Sequence, residues 1–139
     1  PSMDPNTPSG KLRRRGMTLI ELMIVLTIII TVISIAVPLY QKAIVRAKES
    51  VLKSNLFTLR TLIDEYTFDK EKAPQTLQDL VAEGYLRELP LDPFTKSRDS
   101  WKTEIEDALR SVDQREPGII DVRSGSEGAA LDGTKYSEW

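Results

Sequence analysis

The sequence predicts an α+β fold: one long N-terminal α-helix packed on a small antiparallel β-sheet, with a short helix and ordered loops. Three observations predict it. Residues 17–37, MTLIELMIVLTIIITVISIAV, form an apolar run of 21 residues with a single charge, Glu21. Leu52, Leu56, Leu59, Ile63 and Tyr66 then recur at intervals of 4, 3, 4 and 3 residues, one stripe of an amphipathic helix. The remainder is polar, holds most of the glycines and prolines, and contains only short apolar stretches.

Residues 1–16, PSMDPNTPSGKLRRRG, carry Lys11, Arg13, Arg14 and Arg15 against Asp4, a local charge of +3. Such a segment buries too little apolar surface to fold and reads as disordered. The run that follows spans roughly 30 Å as a helix, the thickness of a bilayer's hydrocarbon core. A buried core helix would need packing on all sides, which 139 residues hardly supply. A cleaved secretory signal has a shorter apolar region and a small-residue cleavage site, and Pro38 stands directly after the nearest one, Ala36-Val37. A membrane span (17–37) fits both length and composition. The basic cluster ahead of it puts the N-terminus on the cytoplasmic side.

No linker follows the span. Pro38 interrupts, yet helical spacing resumes at once, and one proline is accommodated as a kink. No glycine occurs between Met17 and Glu83. The expectation is one helix from about Thr18 to Tyr66, roughly 75 Å long. Residues 38–68 are its amphipathic continuation, with Arg46, Lys48, Lys53, Arg60, Asp64 and Glu65 on the remaining surface. A span plus a separate helix, broken at Pro38, is the alternative.

Residues 69–139 read as a small globular head. Pro74 suits the first turn of a short helix and Gly84 its C-terminal cap, so 75–83 is expected helical, with Leu77, Leu80 and Val81 inward. Residues 85–95 hold Leu-Pro, Asp-Pro and Phe-Thr, signals of an ordered loop clamped on the long helix. Trp101, Thr103 and Ile105 alternate with Lys102, Glu104 and Glu106 as in a strand. Residues 107–112 fit helix or strand. Residues 118–123 form a second strand, apolar at Ile120 and Val122 on one face. Residues 124–134 are a glycine-rich loop, with Tyr136 and Trp139 packing back. A two- or three-stranded sheet of this size needs the helix stripe as the other half of its core.

The chain has no cysteine and no histidine. This removes disulfides, thiolate chemistry and the commonest general base, and makes catalysis a poor first reading. Gly125, Gly128 and Gly133 lack the strand–helix context and the Lys-Ser/Thr ending of a phosphate loop. Without residues 1–16 the chain holds 15 basic and 20 acidic residues, and a net charge of −5 speaks against nucleic acid. Asp64-Glu65 and Glu104/Glu106 read as solvated faces. The mean hydropathy of −0.26 averages a span and a polar head.

Glu21 stands out, since a carboxylate within the hydrocarbon region costs about 2.5–3.5 kcal/mol and less near an interface. Its plain reading is an interfacial carboxylate that snorkels to the headgroups. Its functional reading is a charge awaiting a partner. The α-amine of Met17 on a neighbouring subunit, freed by removal of the leader, would be one.

Arg13-Arg-Arg-Gly-Met-Thr-Leu-Ile-Glu-Leu22 closely resembles the class III signal of type IV pilins and type II secretion pseudopilins. The resemblance implies cleavage between Gly16 and Met17 by a prepilin peptidase, N-methylation of Met17, and docking of a subunit through Glu21. Pro38 matches the proline of the family helix. Downstream, Leu86-Arg-Glu-Leu-Pro, Asp92-Pro-Phe and Ile120-Asp-Val-Arg-Ser-Gly-Ser-Glu-Gly resemble the G-type major pseudopilin, with Phe94-Thr95 in place of Trp-Gly. The missing cysteine pair agrees with a pseudopilin.

What the resemblance implies is a filament subunit that is not an enzyme. It sits in the bacterial inner membrane as a single pass with a periplasmic head, in contact with lipid before assembly. It then forms a helical homo-oligomer through an inner-membrane assembly platform, alongside minor pseudopilins, and drives type II secretion of proteins. It implies Ca²⁺ in the 124–134 loop, with Asp132, Glu127 and Ser126 as donors; hard oxygen ligands suit this ion. The plain reading of that loop is a solvated turn. A surface type IV pilus subunit is the alternative, and a signal-anchored extracytoplasmic enzyme the alternative of another class.

Overall fold

A computed structural model describes Ser2, Gly10, residues 16–106 and residues 117–139. The expected disorder of residues 1–16 therefore falls largely, and the helix-or-strand question at 107–112 wholly, outside the described residues. Helix α1 (Leu19–Lys70) is followed by α2 (Gln78–Ala82), β1 (Lys102–Ile105), β2 (Ile119–Arg123) and a closing 3₁₀ turn, Tyr136–Glu138. The chain divides into two compact units, Pro1–Leu39 and Tyr40–Trp139. Helix α1 contributes to both, with Pro38 inside it, so the break into two helices does not occur.

In the first unit the helix is apolar on nearly every face and exposed at every residue but the half-buried Val25. It is long and apolar enough to cross a membrane. Its few hydroxyls turn inward: Thr27, Thr31 and Ser34 donate to the carbonyls of Met23, Thr27 and Ile30 at 2.8, 2.7 and 2.7 Å.

In the second unit the stripe Leu52, Leu56, Leu59, Ile63 and Tyr66 is buried, as the spacing predicts. It packs with Leu77, Leu80, Leu89, Trp101, Ile119, Val122, Ala130 and Tyr136. The helix runs one turn beyond Tyr66, to Lys70, and Glu71 then leaves it at a φ of 57°.

Helix α2 is shorter than the expected 75–83. The Asp79 carboxylate accepts the amides of Gln75 and Thr76 at 2.9 and 3.0 Å, which holds a turn there. The Pro74 carbonyl meanwhile accepts the Ile119 amide at 2.8 Å. Pro74 is thus a buried link to β2 and not a first helical residue. Gly84 ends the helix as expected, at a φ of 82°, and lets the amides of Tyr85 and Leu86 reach the Leu80 carbonyl.

β1 and β2 pair antiparallel, with Lys102 opposite Arg123 and Glu104 opposite Asp121. Ile105 then lies opposite Ile119, so Ile120 is an extra residue on β2, a bulge. The bulge resets the alternation, and Ile119 with Val122 faces the core where Ile120 and Val122 were expected. β1 forms where the alternation at 101–106 predicts a strand, but that alternation does not mark a buried face. Trp101 is buried just before the strand, but all four β1 residues are exposed, Ile105 at 56%.

Residues 85–95 are clamped on α1, as expected. The Asn55 amide donates to the Leu91 carbonyl at 3.1 Å, Tyr85 donates to Asp69 at 2.9 Å, and the Tyr66 and Tyr85 rings lie 5.5 Å apart.

Candidate functional site

The N-terminal end of α1 is built by a cap. Thr18 precedes the helix, and its hydroxyl accepts the Glu21 amide at 3.2 Å, while its carbonyl accepts the Leu22 amide. Thr-x-x-Glu is the spacing of a capping box, and a carboxylate in the first turn also favours the helix dipole. Glu21 is exposed, one turn into the helix. Gly16 and Met17 lie ahead of the cap in exposed, non-helical backbone. A Cβ on Gly16 would meet nothing within 4 Å, so the fold itself does not demand glycine there. Pro38, deep in α1, lacks the amide that would bond the Ser34 carbonyl.

The C-terminal loop is organised by hydrogen bonds of its own. The Ser124 hydroxyl, fully buried, donates to Asp92 at 2.5 Å and accepts the Ser126 amide. The Ser126 hydroxyl accepts the Gly128 amide. Asp132 accepts both the amide and the hydroxyl of Thr134, and these bonds hold its carboxyl below the ordinary value. Glu127 is exposed. Among the described residues no three His, Cys, Asp or Glu side chains gather as a metal cluster. A Ca²⁺ here would have Asp132, Ser126 and Glu127 as side-chain donors and draw its other oxygens from loop carbonyls.

Three residues that bind the head together were missed. Arg60, expected on the surface, donates to Asp121 at 2.7 Å and to the carbonyls of Val122 and Trp139. Glu49 accepts the Leu131 amide and the Tyr136 hydroxyl, both at 2.9 Å. Asp92 is fully buried and also accepts the Phe94 amide at 2.9 Å. The Asp-Pro-Phe-Thr run signals such an Asx turn; nothing local in the sequence signals Arg60 or Glu49.

Residues 11–37 match the family described as the prokaryotic N-terminal methylation motif. The chain is 32% identical over 98 residues to the type II secretion system core protein G of Klebsiella pneumoniae, covering 59% of this chain and 70% of that protein. It is 31% identical over 98 residues to the protein of the same name from Pectobacterium carotovorum subsp. carotovorum, covering 59% of this chain and 63% of the relative. It is also 42% identical over 62 residues to the type IV major fimbrial protein FimA of Dichelobacter nodosus, covering 45% of this chain and 39% of the relative. The chain spans less than two thirds of the length of the Pectobacterium relative. No solved structure matches.

Proposed function

The chain belongs to the family of the type II secretion system core protein G, and from that premise we propose that it is a prepilin-like subunit of a pseudopilus. It acts as a structural subunit and not as an enzyme. Before assembly its span lies in the inner membrane, with the N-terminus cytoplasmic and the head periplasmic. Prepilin peptidase cuts between Gly16 and Met17, and Met17 is N-methylated. An inner-membrane platform then moves subunits into a helical filament, with minor pseudopilins as further partners, and growth of the filament drives protein secretion.

One observation carries this reading. An exposed Gly16–Met17 peptide precedes a capped helix that is apolar and exposed on nearly all sides. A peptidase needs extended backbone, and Gly16 answers to no packing requirement of the chain itself. The bare span needs lipid first and neighbouring helices afterwards, where van der Waals packing replaces lipid contact. Glu21, placed in the first turn by the cap, would pair with the Met17 amine of a neighbouring subunit and set the axial register. Pro38 lets the helix adapt on leaving the membrane.

Mass spectrometry of the mature protein tests processing: the expected N-terminus is methylated Met17, and an intact leader overturns the reading. Glu21→Ala is expected to insert in the membrane and fail to assemble. The identity to a fimbrial protein favours a surface type IV pilus as the second reading. Filaments confined to the periplasm at native expression exclude it, and filaments on the cell surface support it.

The proposal extends to Ca²⁺ in the 124–134 loop, supported by the Asp132 carboxyl, which Thr134 holds below its ordinary value, and by the oxygen-bearing side chains of Ser126 and Glu127 in the same loop. The ion would supply charge to hold that loop closed. An unchanged melting temperature with chelator retires Asp132, Glu127 and Ser126 as ligands.

A further inference from the structure

Within residues 40–70 the head covers one side of α1, and its two uncovered flanks carry opposite charge at different heights, basic near the start of this stretch and acidic near its end, where Asp64 also joins the first flank. With helical residues about 100° apart, Lys42 and Arg46 share one flank while Glu65 and Asp69 share another about 140° around the axis. All four are exposed. Lys42, Arg46 and Glu65 make no hydrogen bond or ion pair with any described residue, and Asp69 accepts only the Tyr85 hydroxyl. The separation extends to the whole unit: residues 40–60 hold five basic and one acidic residue, and residues 61–139 ten basic and eighteen acidic.

We propose that these flanks are the two halves of one interface between copies of this chain, Lys42 and Arg46 of one copy meeting Glu65 and Asp69 of the next. The inference rests on the filament reading and names the surface that reading leaves open. Each pair is four residues apart, one helical turn, so both match in a single parallel register. Lys42 meets Glu65 and Arg46 meets Asp69 at the same offset of 23 residues, about 34 Å along the helix.

Because donor and acceptor flanks differ, the contact is heterologous, and a parallel heterologous contact propagates into an open helical array instead of closing a dimer. Exposed apolar side chains lie at the same azimuths, Phe57 at 71% near the basic flank and Val51 at 49% near the acidic one, and would add apolar contact along the same interface. A single exposed ion pair contributes little, but two per subunit repeated along a filament fix register and reject wrong offsets.

The test is reciprocal charge reversal in the full-length chain, expressed with its assembly components and read as the yield of sheared filaments. K42E/R46E and E65K/D69K are each expected to cut the yield about tenfold or more, because each sets like charges face to face. The four-site swap, which restores opposite charges, is expected to return it to within about twofold of the unmodified chain. Circular dichroism melts in detergent are expected to match the unmodified chain for K42E/R46E and to fall slightly where D69K removes the Tyr85 bond. E65K alone, whose side chain makes no such bond, is expected to melt as the unmodified chain and still to lower the filament yield. Normal assembly of either double variant, or a four-site swap as poor as the doubles, overturns the proposal. So does loss confined to K42E/R46E, which would assign those cations to another occupant such as anionic lipid. Absence of filaments from the unmodified chain overturns the filament reading itself, a failure distinct from the others.

Discussion

The Glu49 carboxylate on α1 accepts the Tyr136 hydroxyl at 2.9 Å, and the same oxygen accepts the Leu131 amide. One side chain of the long helix thereby fixes both ends of the turn 131–136. The Tyr136 ring is in turn stacked on Phe94 at 3.9 Å, so the clamp couples the C-terminal loop to the 85–95 loop. Tyr136→Phe and Glu49→Ala are each expected to destabilise the head by about 1–2 kcal/mol. Their effects are not additive, with a coupling of about 0.5–1.5 kcal/mol in a double-mutant cycle of urea melts.

The same contact sets an alkaline limit. Burial, and then the Glu49 carboxylate, pushes the Tyr136 hydroxyl from its ordinary 10.0 up to about 12. Tyr85, hydrogen-bonded to Asp69, is likewise pushed to about 12. A group with a raised folded pKa contributes its full stability below the unfolded value and loses it as pH rises through the folded one. Melting temperature is therefore expected to fall between pH 10 and 12, and less steeply in Tyr136→Phe.

Arg60 joins three segments through Asp121, the Val122 carbonyl and the Trp139 carbonyl. Arg60→Leu is expected to cost about 2–3 kcal/mol, largely from acceptors left without a donor. The pair with Asp121 is about one-third exposed, so salt should reduce only part of this loss. Urea midpoints at low and high ionic strength measure both quantities.

Two neighbouring residues of α1 should respond in opposite ways. Leu59 is wholly buried, and Leu59→Ala is expected to destabilise the head by about 2–5 kcal/mol. Phe57 is 71% exposed, and Phe57→Ala is expected to stay within about 0.5 kcal/mol. Equal effects in thermal melts would contradict the register of the core stripe.

Gly125 and Gly16 make a similar contrast. A Cβ on Gly125 would stand 2.0 Å from the Ser100 carbonyl oxygen, so Gly125→Ala is expected to lower the melting temperature markedly. Gly16→Ala is expected to leave it unchanged and to block removal of the leader, seen as a heavier band on immunoblots.

The long helix and its buried stripe were legible in the sequence because both rest on periodicity and length. The spacing from Leu52 to Tyr66 leaves one helical face, and no glycine or cap interrupts it. The start near Thr18 was legible too, although the Thr18–Glu21 cap that sets it was not read from the spacing. The head was legible in kind but not in detail. The bulge at Ile120 depends on pairing with Ile105, a relation across 14 residues, and it moved the buried face from Ile120 to Ile119. Asp79, whose carboxylate binds the amides of Gln75 and Thr76, shortened α2 by a side-chain bond that propensity does not register. Arg60 read as an ordinary surface charge and Glu49 drew no reading, because their partners lie 61 to 87 residues away.

The hydroxyls of Thr27, Thr31 and Ser34 bear on the proposed transfer of the span from lipid to neighbouring helices. Each is already bonded to a carbonyl one turn back in its own helix. These side chains ask no outside group for a hydrogen bond, whereas the Ser34 carbonyl, which Pro38 leaves without an amide, stays open. Under that proposal the side chains of the span exchange mainly dispersion contacts when lipid gives way to protein.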